Sequence, residues 1–91
     1  MLHIIKSVAA LSDAVRLCQT QDELLLVEEA VYAAIPQHSA FHQLKKLSVF
    51  ALKNDLDARG IRHRISPSIK VVDYAGFVEL TVKQAKSLTW D

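Results

Sequence analysis

The stretch Ser68-Ile-Lys-Val-Val-Asp-Tyr-Ala-Gly-Phe-Val-Glu-Leu-Thr-Val82 decides the fold class of this chain. Its first residues are mostly β-branched with little polar alternation, which is typical of a buried strand in a parallel sheet covered on both faces. Asp73 predicts a helix N-cap, because its side-chain oxygen can accept a hydrogen bond from a first-turn N–H group. Tyr74, Phe77, Val78 and Thr81 follow at helical spacing, which predicts an apolar helix directly after the strand. The stretch contains no obvious catalytic group.

Apolar runs recur along the whole chain at intervals of 19 to 23 residues, about the length of one strand and one helix. They are Leu2–Ile5, Leu24–Val27, Leu47–Leu52, Ile69–Val72 and Leu88–Trp90. Strands that alternate with helical segments predict βαβ units, and right-handed crossovers place helices on both faces of the sheet. The sequence therefore predicts a single α/β domain over residues 1–91: a three-layer α/β/α arrangement around a mainly parallel sheet of about five strands.

The segments between these runs carry helix signals. Val8, Leu11, Val15 and Cys18 form one apolar stripe, which predicts a helix ending near Thr20. A second helix is predicted over Ala30–Ile35, and Ser39 can cap a short third one. Asn54 can cap a further helix that runs to Arg59, and Gly60 would end it in the left-handed conformation. The stretch Arg62–Pro67 is predicted to be a basic loop.

Composition excludes several classes of function. The formal net charge is +1, which argues against general nucleic-acid affinity, and no apolar run approaches the eighteen or so residues of a membrane span. No signal peptide is visible and one cysteine cannot form an internal disulfide, so we expect a reducing cytoplasm. The 51% apolar content is high for a small domain and predicts that some apolar residues lie in subunit interfaces.

Cys18 is the only sulfur nucleophile of the chain and the one candidate catalytic residue. A reactive thiol needs a lowered pKa and partial exposure. Cys18 instead lies near the predicted C-terminal end of a helix, where the helix dipole disfavours a thiolate. Its place on the stripe with Leu11 and Val15 favours a buried structural thiol, while a persulfide-carrying thiol and an exposed incidental thiol remain alternatives.

Other polar residues offer few site patterns. His38 and His42 can share a helix face, but they lack the intervening Glu of the zinc signature and a further ligand, so no metal site is predicted. Glu28 and Glu29 follow a strand end, where α/β sheets place ligands, although acidic residues also simply stabilise a first helical turn. No glycine-rich phosphate loop is present, and no cofactor is predicted.

Two groups of residues are candidate contact surfaces. The basic residues Arg59, Arg62, His63, Arg64 and Lys70 can touch RNA phosphates or an acidic partner, or form a solvated loop. The aromatic residues Tyr32, Phe41 and Trp90 are candidate interface residues, and Leu88–Trp90 can be an edge strand pinned by the indole.

Several segments together resemble the TusB/DsrH family over nearly the whole chain. They are Met1-Leu-His-Ile4, Glu23-Leu-Leu-Leu-Val27, Ala51-Leu-Lys-Asn-Asp-Leu-Asp-Ala-Arg-Gly60, Asp73-Tyr-Ala-Gly-Phe-Val-Glu-Leu-Thr-Val-Lys83 and the late Trp90. The middle segment, Pro36–Lys46, matches only loosely.

The resemblance implies a DsrEFH-like fold, in which Tyr74, Phe77 and Val78 are expected to pack. It also implies a cytoplasmic sulfur-relay complex that passes persulfide sulfur between carriers. It implies TusC- and TusD-like partners in a heterohexamer with two copies of each subunit, and an indirect relation to tRNA through 2-thiolation of the wobble uridine. It also implies that the main sulfur-carrying cysteine lies on a partner, so this chain is expected to be an accessory subunit rather than an enzyme. The alternatives are a DsrH-type subunit of dissimilatory sulfur oxidation with Cys18 as a persulfide carrier, and a homo-oligomeric RNA- or ligand-binding module. When its partners are absent, we expect the chain to form homo-oligomers.

Overall fold

The computed structural model describes all residues from 1 to 91. The strands are β1 (Leu2–Ile5), β2 (Glu23–Leu26), β3 (Ser48–Leu52), β4 (Lys70–Val72) and β5 (Ser87–Trp90). The α-helices are α1 (Val8–Leu17), α2 (Lys53–Ala58) and α3 (Tyr74–Lys83), and short 3-10 helices occupy Glu28–Ala34, Phe41–Leu44 and Arg62–Arg64. None of these helices combines the length and the apolar character that crossing a bilayer requires.

The five strands form one sheet in the order β4-β3-β2-β1-β5, and every pairing in it is parallel. β2, β3 and β4 add successively to one side of β1. β5 then returns to the other side of β1, where Ile5 is in register with Trp90. The predicted five-stranded α/β fold is confirmed, and the strand order reverses between β1 and β5.

The two faces of the sheet are covered unequally. One face carries α1, α2 and the first two 3-10 helices around a core of 17 buried residues, whereas α3 alone packs on the other face, where five residues are buried. Five strands spaced about 4.8 Å apart span roughly 19 Å, while one helix is about 10 Å wide. α3 therefore covers about half of its face.

Local signals in the sequence explain several element ends. Asp73 caps α3 as predicted, because its Oδ1 accepts a hydrogen bond from the Gly76 N–H at 2.9 Å. Gly60 has a φ of +65°, the left-handed conformation predicted for the residue that follows α2. α1 begins at the side-chain cap of Ser7 and ends before Cys18, earlier than predicted, because Cys18 is already extended with a φ of −72° and a ψ of 127°.

Two predicted caps are wrong. α2 begins one residue before Asn54 and follows Leu52, which makes no side-chain cap. The helix at Phe41–Leu44 follows Ala40 rather than Ser39, again without a side-chain cap. The predicted helix at Ala30–Ile35 is a 3-10 helix that already includes both preceding glutamates and ends one residue earlier.

The packing predicted for the segment from Ser68 to Val82 is partly wrong. β4 is an edge strand on which Ile69 is the buried neighbour, while Lys70 and Val71 are exposed. On α3, Tyr74 is 57% exposed and Val78 is 59% exposed, although both were expected to pack. The reason is geometric: α3 contacts the sheet through the face that carries Leu80, and no further layer covers its outer side.

Candidate functional site

Cys18 occupies the C-cap of α1 at the amino edge of the sheet. Its backbone N–H donates to the carbonyl oxygen of Val15 at 3.2 Å, and its side chain is half-buried against the larger core. A crossover helix runs antiparallel to its strands, so the end of α1 returns to the edge where the strands begin. Parallel sheets bind ligands at the opposite, carboxyl edge.

The surroundings of Cys18 disfavour a thiolate. Burial raises the pKa of the Cys18 thiol, and the nearby Asp22 carboxylate raises it further. The Cys18 thiol lies 3.6 Å from the carbonyl oxygen of Gln19, to which it can donate a weak hydrogen bond. A reactive cysteine requires the opposite electrostatic environment, so this thiol is held in its protonated form.

A buried polar network next to Cys18 was missed by the sequence reasoning. The Nε2 atom of His3 lies 3.0 Å from Oδ2 of Asp22, and the Trp90 indole Nε1 donates to Nδ1 of His3 at 3.1 Å. An indole N–H can only donate, so Nδ1 must accept and Nε2 must carry the proton that His3 donates to Asp22. The network fixes one imidazole tautomer and ties β5 to β1.

Asp22 is the acceptor at the centre of this network. Its Oδ2 accepts the Gln19 backbone N–H at 3.0 Å, and its Oδ1 accepts the Met1 amino group at 2.9 Å. The Gln19 hydrogen bond, then the amino group and the His3 hydrogen bond, hold the pKa of Asp22 far below its usual range, although burial opposes this. Asp22 is therefore an ionised, fully engaged carboxylate.

His3, Cys18 and Asp22 place three potential metal-ligand atoms within 4.8 Å of one another. The hydrogen bonds of the network nevertheless oppose a metal ion. Coordination by Nε2 of His3 would move the ring proton to Nδ1, where it would face the Trp90 N–H donor. Coordination by Nδ1 would displace that same donor, so either mode costs a buried hydrogen bond.

His38 and His42 make local contacts instead of a shared site. Nδ1 of His38 accepts the backbone N–H of Ala40 at 3.0 Å. Nδ1 of His42 lies 2.6 Å from the carbonyl oxygen of Ser39, to which it can donate. Each imidazole is used to hold the turn around it.

A cleft of about 320 Å³ lies at the carboxyl edge of the sheet, where the strand order reverses between β1 and β5. In open α/β sheets this is the usual position of a ligand. Ile4, Val27, Leu52 and Phe77 supply its apolar walls. Lys6, Glu28 and Asp55 supply its charges, and Tyr74 and Thr89 complete it.

The charged rim of this cleft is held by internal contacts. Lys6 lies 3.3 Å from Asp91 and 3.6 Å from Glu28, and these carboxylates, Asp91 first, raise the pKa of Lys6. Glu28 has a φ of 50°, an uncommon conformation for a residue with a side chain, and its N–H donates to Oδ2 of Asp55 at 2.6 Å. The ionisable groups that line the cleft are thus an amine, two carboxylates and a phenol, and the amine and the carboxylates are engaged with one another or with the backbone.

The predicted basic cluster is divided among several contacts. Arg59 lies 3.9 Å from Asp55 and stacks 5.9 Å over the Tyr32 ring, while Arg62 lies 3.9 Å from Asp57. Lys70 lies 5.1 Å over the ring of Phe50. Three of the five basic residues therefore interact with neighbouring carboxylates or aromatic rings.

The three predicted interface aromatics, Tyr32, Phe41 and Trp90, are each half-buried against the larger core. Their part in an interface stays a prediction. The most exposed large apolar residues are elsewhere, above all on α3 and at Leu17.

Comparison with known proteins gives a consistent result. Residues 6–87 match the family described as DsrH like protein. A protein TusB from Salmonella dublin is 40% identical across 99% of this chain and 100% of its own length, and TusB proteins of Salmonella enteritidis and Salmonella typhimurium match to the same extent. The ychN protein from E. coli shares the fold, with a TM-score of 0.75, 18% identity and 97% coverage of both chains.

Proposed function

This chain belongs to the DsrH-like family, and from that membership we propose that it is a non-catalytic subunit of a cytoplasmic sulfur-relay complex. The complex serves 2-thiolation of the tRNA wobble uridine, and the chain contacts tRNA only indirectly. Its partners are TusC- and TusD-like subunits, assembled as a heterohexamer with two copies of each. The match to TusB proteins over the full length of both chains supports the tRNA branch rather than the dissimilatory branch.

The state of Cys18 is the observation that carries the non-catalytic role. A sulfur carrier must present a thiolate to the outer sulfur of a donor persulfide. Cys18 is half-buried at the amino edge of the sheet, and burial and Asp22 raise its pKa. The carboxyl-edge cleft offers no other thiol, so the sulfur chemistry belongs to a partner chain.

Two genetic changes test this proposal: one removes the whole chain, and the other removes only its thiol. Deleting the gene should abolish 2-thiouridine in tRNA, because the relay complex loses a subunit. Replacing Cys18 with Ser should leave the 2-thiouridine content at its normal level, because Cys18 carries no sulfur. Nucleoside analysis by mass spectrometry measures both, and loss of thiolation in the Cys18→Ser strain would contradict the non-catalytic role. Unchanged thiolation in the deletion strain would contradict the relay itself.

A persulfide carrier is the second candidate function, and the partial exposure of Cys18, the only thiol of the chain, favours it. In that reaction the Cys18 thiolate attacks the outer sulfur of a donor persulfide. Cys18 becomes a persulfide and the donor leaves as a thiolate. The intact mass of the native chain after incubation with a persulfide donor should then rise by one sulfur atom. An unchanged mass, under conditions that load a TusD-like partner, removes this candidate.

A further inference from the structure

A second pocket, of about 290 Å³, lies at the amino edge of the sheet, opposite to the carboxyl-edge cleft. It is formed by the segment that leads into β3 and by the loop that leads into β4. We call it the turn pocket, because the turn Leu44–Leu47 forms one of its walls. Phe41, Leu44, Leu47 and Ile69 supply its apolar lining. Its volume is just below the range of about 300–1,000 Å³ for sites of drug-sized ligands, so it suits a smaller molecule.

The turn Leu44–Leu47 has an unusual residue at its third position. The N–H of Leu47 donates to the carbonyl oxygen of Leu44 at 3.2 Å, which closes a four-residue β-turn. Lys45 has a φ of −62° and a ψ of 136°, and Lys46 has a φ of 67°, as in a type II turn. Type II turns favour glycine at the third position, because a residue with a Cβ atom is strained at positive φ. The chain has a lysine there instead, and backbone strain of this kind is typical of functional positions.

The turn brings two lysines to the same pocket. In an extended chain successive side chains point to opposite faces, whereas here the left-handed residue turns the chain and Lys45 and Lys46 both line the turn pocket. Both lysines are exposed, and neither forms an ion pair with a carboxylate of the chain. No acidic residue lines the pocket. Two uncompensated positive charges therefore lie beside an apolar interior.

Ser68 supplies the remaining polar group of the turn pocket. Its Oγ lies 2.8 Å from Oγ of Ser66, and its backbone N–H donates to the same Ser66 oxygen at 3.2 Å. When the Ser66 hydroxyl donates to Ser68, the proton of the Ser68 hydroxyl is free to bind an acceptor in the pocket. The polar groups of the pocket are thus two amines and one hydroxyl, and all three can donate hydrogen bonds.

We propose that the turn pocket binds a small monocarboxylate with an apolar body. The apolar body lies against the four apolar side chains, and the two carboxylate oxygens accept from the amines of Lys45 and Lys46 and from the Ser68 hydroxyl. A phosphate group is typically held by backbone N–H groups at a helix N-terminus or a glycine-rich loop, whereas this pocket presents side-chain donors. This inference concerns the isolated chain and does not depend on the proposed function.

Titration of the isolated, nitrogen-15-labelled chain with phenylacetate, followed by NMR at constant ionic strength, provides the first test. We expect a dissociation constant on the order of 1 mM, as for other ligands of about ten non-hydrogen atoms, with amide shifts concentrated in residues 41–47 and 68–69. The uncharged 2-phenylethanol has the same carbon skeleton and should bind about fivefold more weakly. Acetate, which lacks the ring, should also bind more weakly. Equal binding of the alcohol, tighter binding of phenyl phosphate, or shifts confined to other residues would overturn the proposal.

Matched lysine substitutions test the role of the two amines. Lys45→Gln and Lys46→Asn each remove one positive charge, and asparagine tolerates the left-handed conformation. Each variant should bind phenylacetate about fivefold more weakly, the upper end of the effect of an exposed ion pair. Lys53→Gln is the control, because Lys53 is exposed at the start of α2, at the opposite edge of the sheet, and its replacement should leave binding unchanged. Equal effects of the three variants would indicate a general effect of net charge and would overturn the proposal.

Lys46→Gly separates ligand binding from the stability of the turn. Glycine adopts a φ of 67° without strain, so this variant should melt a few degrees above the native chain and yet bind phenylacetate about fivefold more weakly. A lower Tm would mean that Lys46 stabilises the turn, and unchanged binding would mean that its amine does not contact the ligand; either result would overturn the proposal. None of these measurements bears on tRNA thiolation, so the proposed function is judged separately.

Discussion

Leu80 is the buried side chain of α3 and packs against the sheet together with the partly buried Phe77, so the substitution Leu80→Ala should loosen the layer that α3 forms. Leu80 is 6% exposed and packs in the smaller core with Leu2, Leu25, Val27 and Leu52. The substitution removes three buried carbon atoms at about 0.8 kcal/mol each and leaves a cavity. Such changes typically cost about 2.7–5 kcal/mol. Because α3 has one open flank and can partly collapse into the space, we expect about 3 kcal/mol.

The corresponding shift in melting temperature follows from the size of the chain. At about 2.1 cal/mol/K per residue, 91 residues have an unfolding entropy of about 190 cal/mol/K, so each kcal/mol lowers Tm by about 5 °C. Leu80→Ala should therefore lower Tm by about 15 °C. Val82→Ala is the control: it lies on the same helix but points outward, and Ala has the higher helix propensity, so its Tm should change by less than about 3 °C.

Circular dichroism melts measure both variants, and urea unfolding gives the free energies. A loss of less than about 1 kcal/mol in Leu80→Ala would mean that α3 contributes little to the stability of the sheet. A loss in Val82→Ala as large as that in Leu80→Ala would mean that the outer face is already covered within the monomer. Either result would refute the one-sided packing of α3 against the sheet.

Four further outcomes follow from the structure. Because the pKa of Asp22 is lower in the folded chain, its ionised form stabilises the fold above the unfolded pKa of about 3.9, and this stabilisation is lost as pH falls below that value. The free energy of unfolding in urea should therefore fall less steeply between pH 5 and 3 in Asp22→Asn than in the native chain. The same substitution should speed alkylation of Cys18 by iodoacetamide at pH 8, since it removes one cause of the raised pKa of the thiol; an unchanged rate would contradict the electrostatic argument. Nitrogen-15 NMR should find His3 with its proton on Nε2, and Trp90→Phe should release this constraint; a proton on Nδ1 in the native chain would refute the network. Gly76→Ala should cost about 1–3 kcal/mol in urea unfolding, because the new Cβ would lie 2.9 Å from a side-chain atom of β4, and a neutral result would show that the strand gives way.

The fold was largely predictable because its signals are local. The spacing of the apolar runs and the N-cap signal of Asp73 depend only on neighbouring residues, and both predictions are confirmed. The left-handed conformation of Gly60 also followed from a local signal and is confirmed. The Asn54 cap was wrong because a good capping residue is no more than a preference, and α2 starts directly from the end of β3.

Burial was harder to predict because it depends on strand order. The run Ile69–Val72 reads as a central strand, but β4 lies at the sheet edge, a position fixed by how the chain crosses over. The network of His3, Asp22 and Trp90 was missed for the same reason, since it forms only when β5 returns beside β1. A histidine inside an apolar run was the one signal in the sequence that could have indicated it.

The position of β5 has a consequence for how the chain folds. His3 and Trp90 are separated by 87 residues, so the pairing of β5 with β1 joins the two ends of the chain. Loop-closure entropy makes such pairing slow relative to hairpins and helix pairs, and β1 keeps one unpaired edge until β5 arrives. The sequentially adjacent strands β1, β2 and β3 can assemble a folding nucleus first. Substitutions in β5 should then raise the unfolding rate more than they lower the folding rate. The last strand of the sheet would thus determine how long the native state persists.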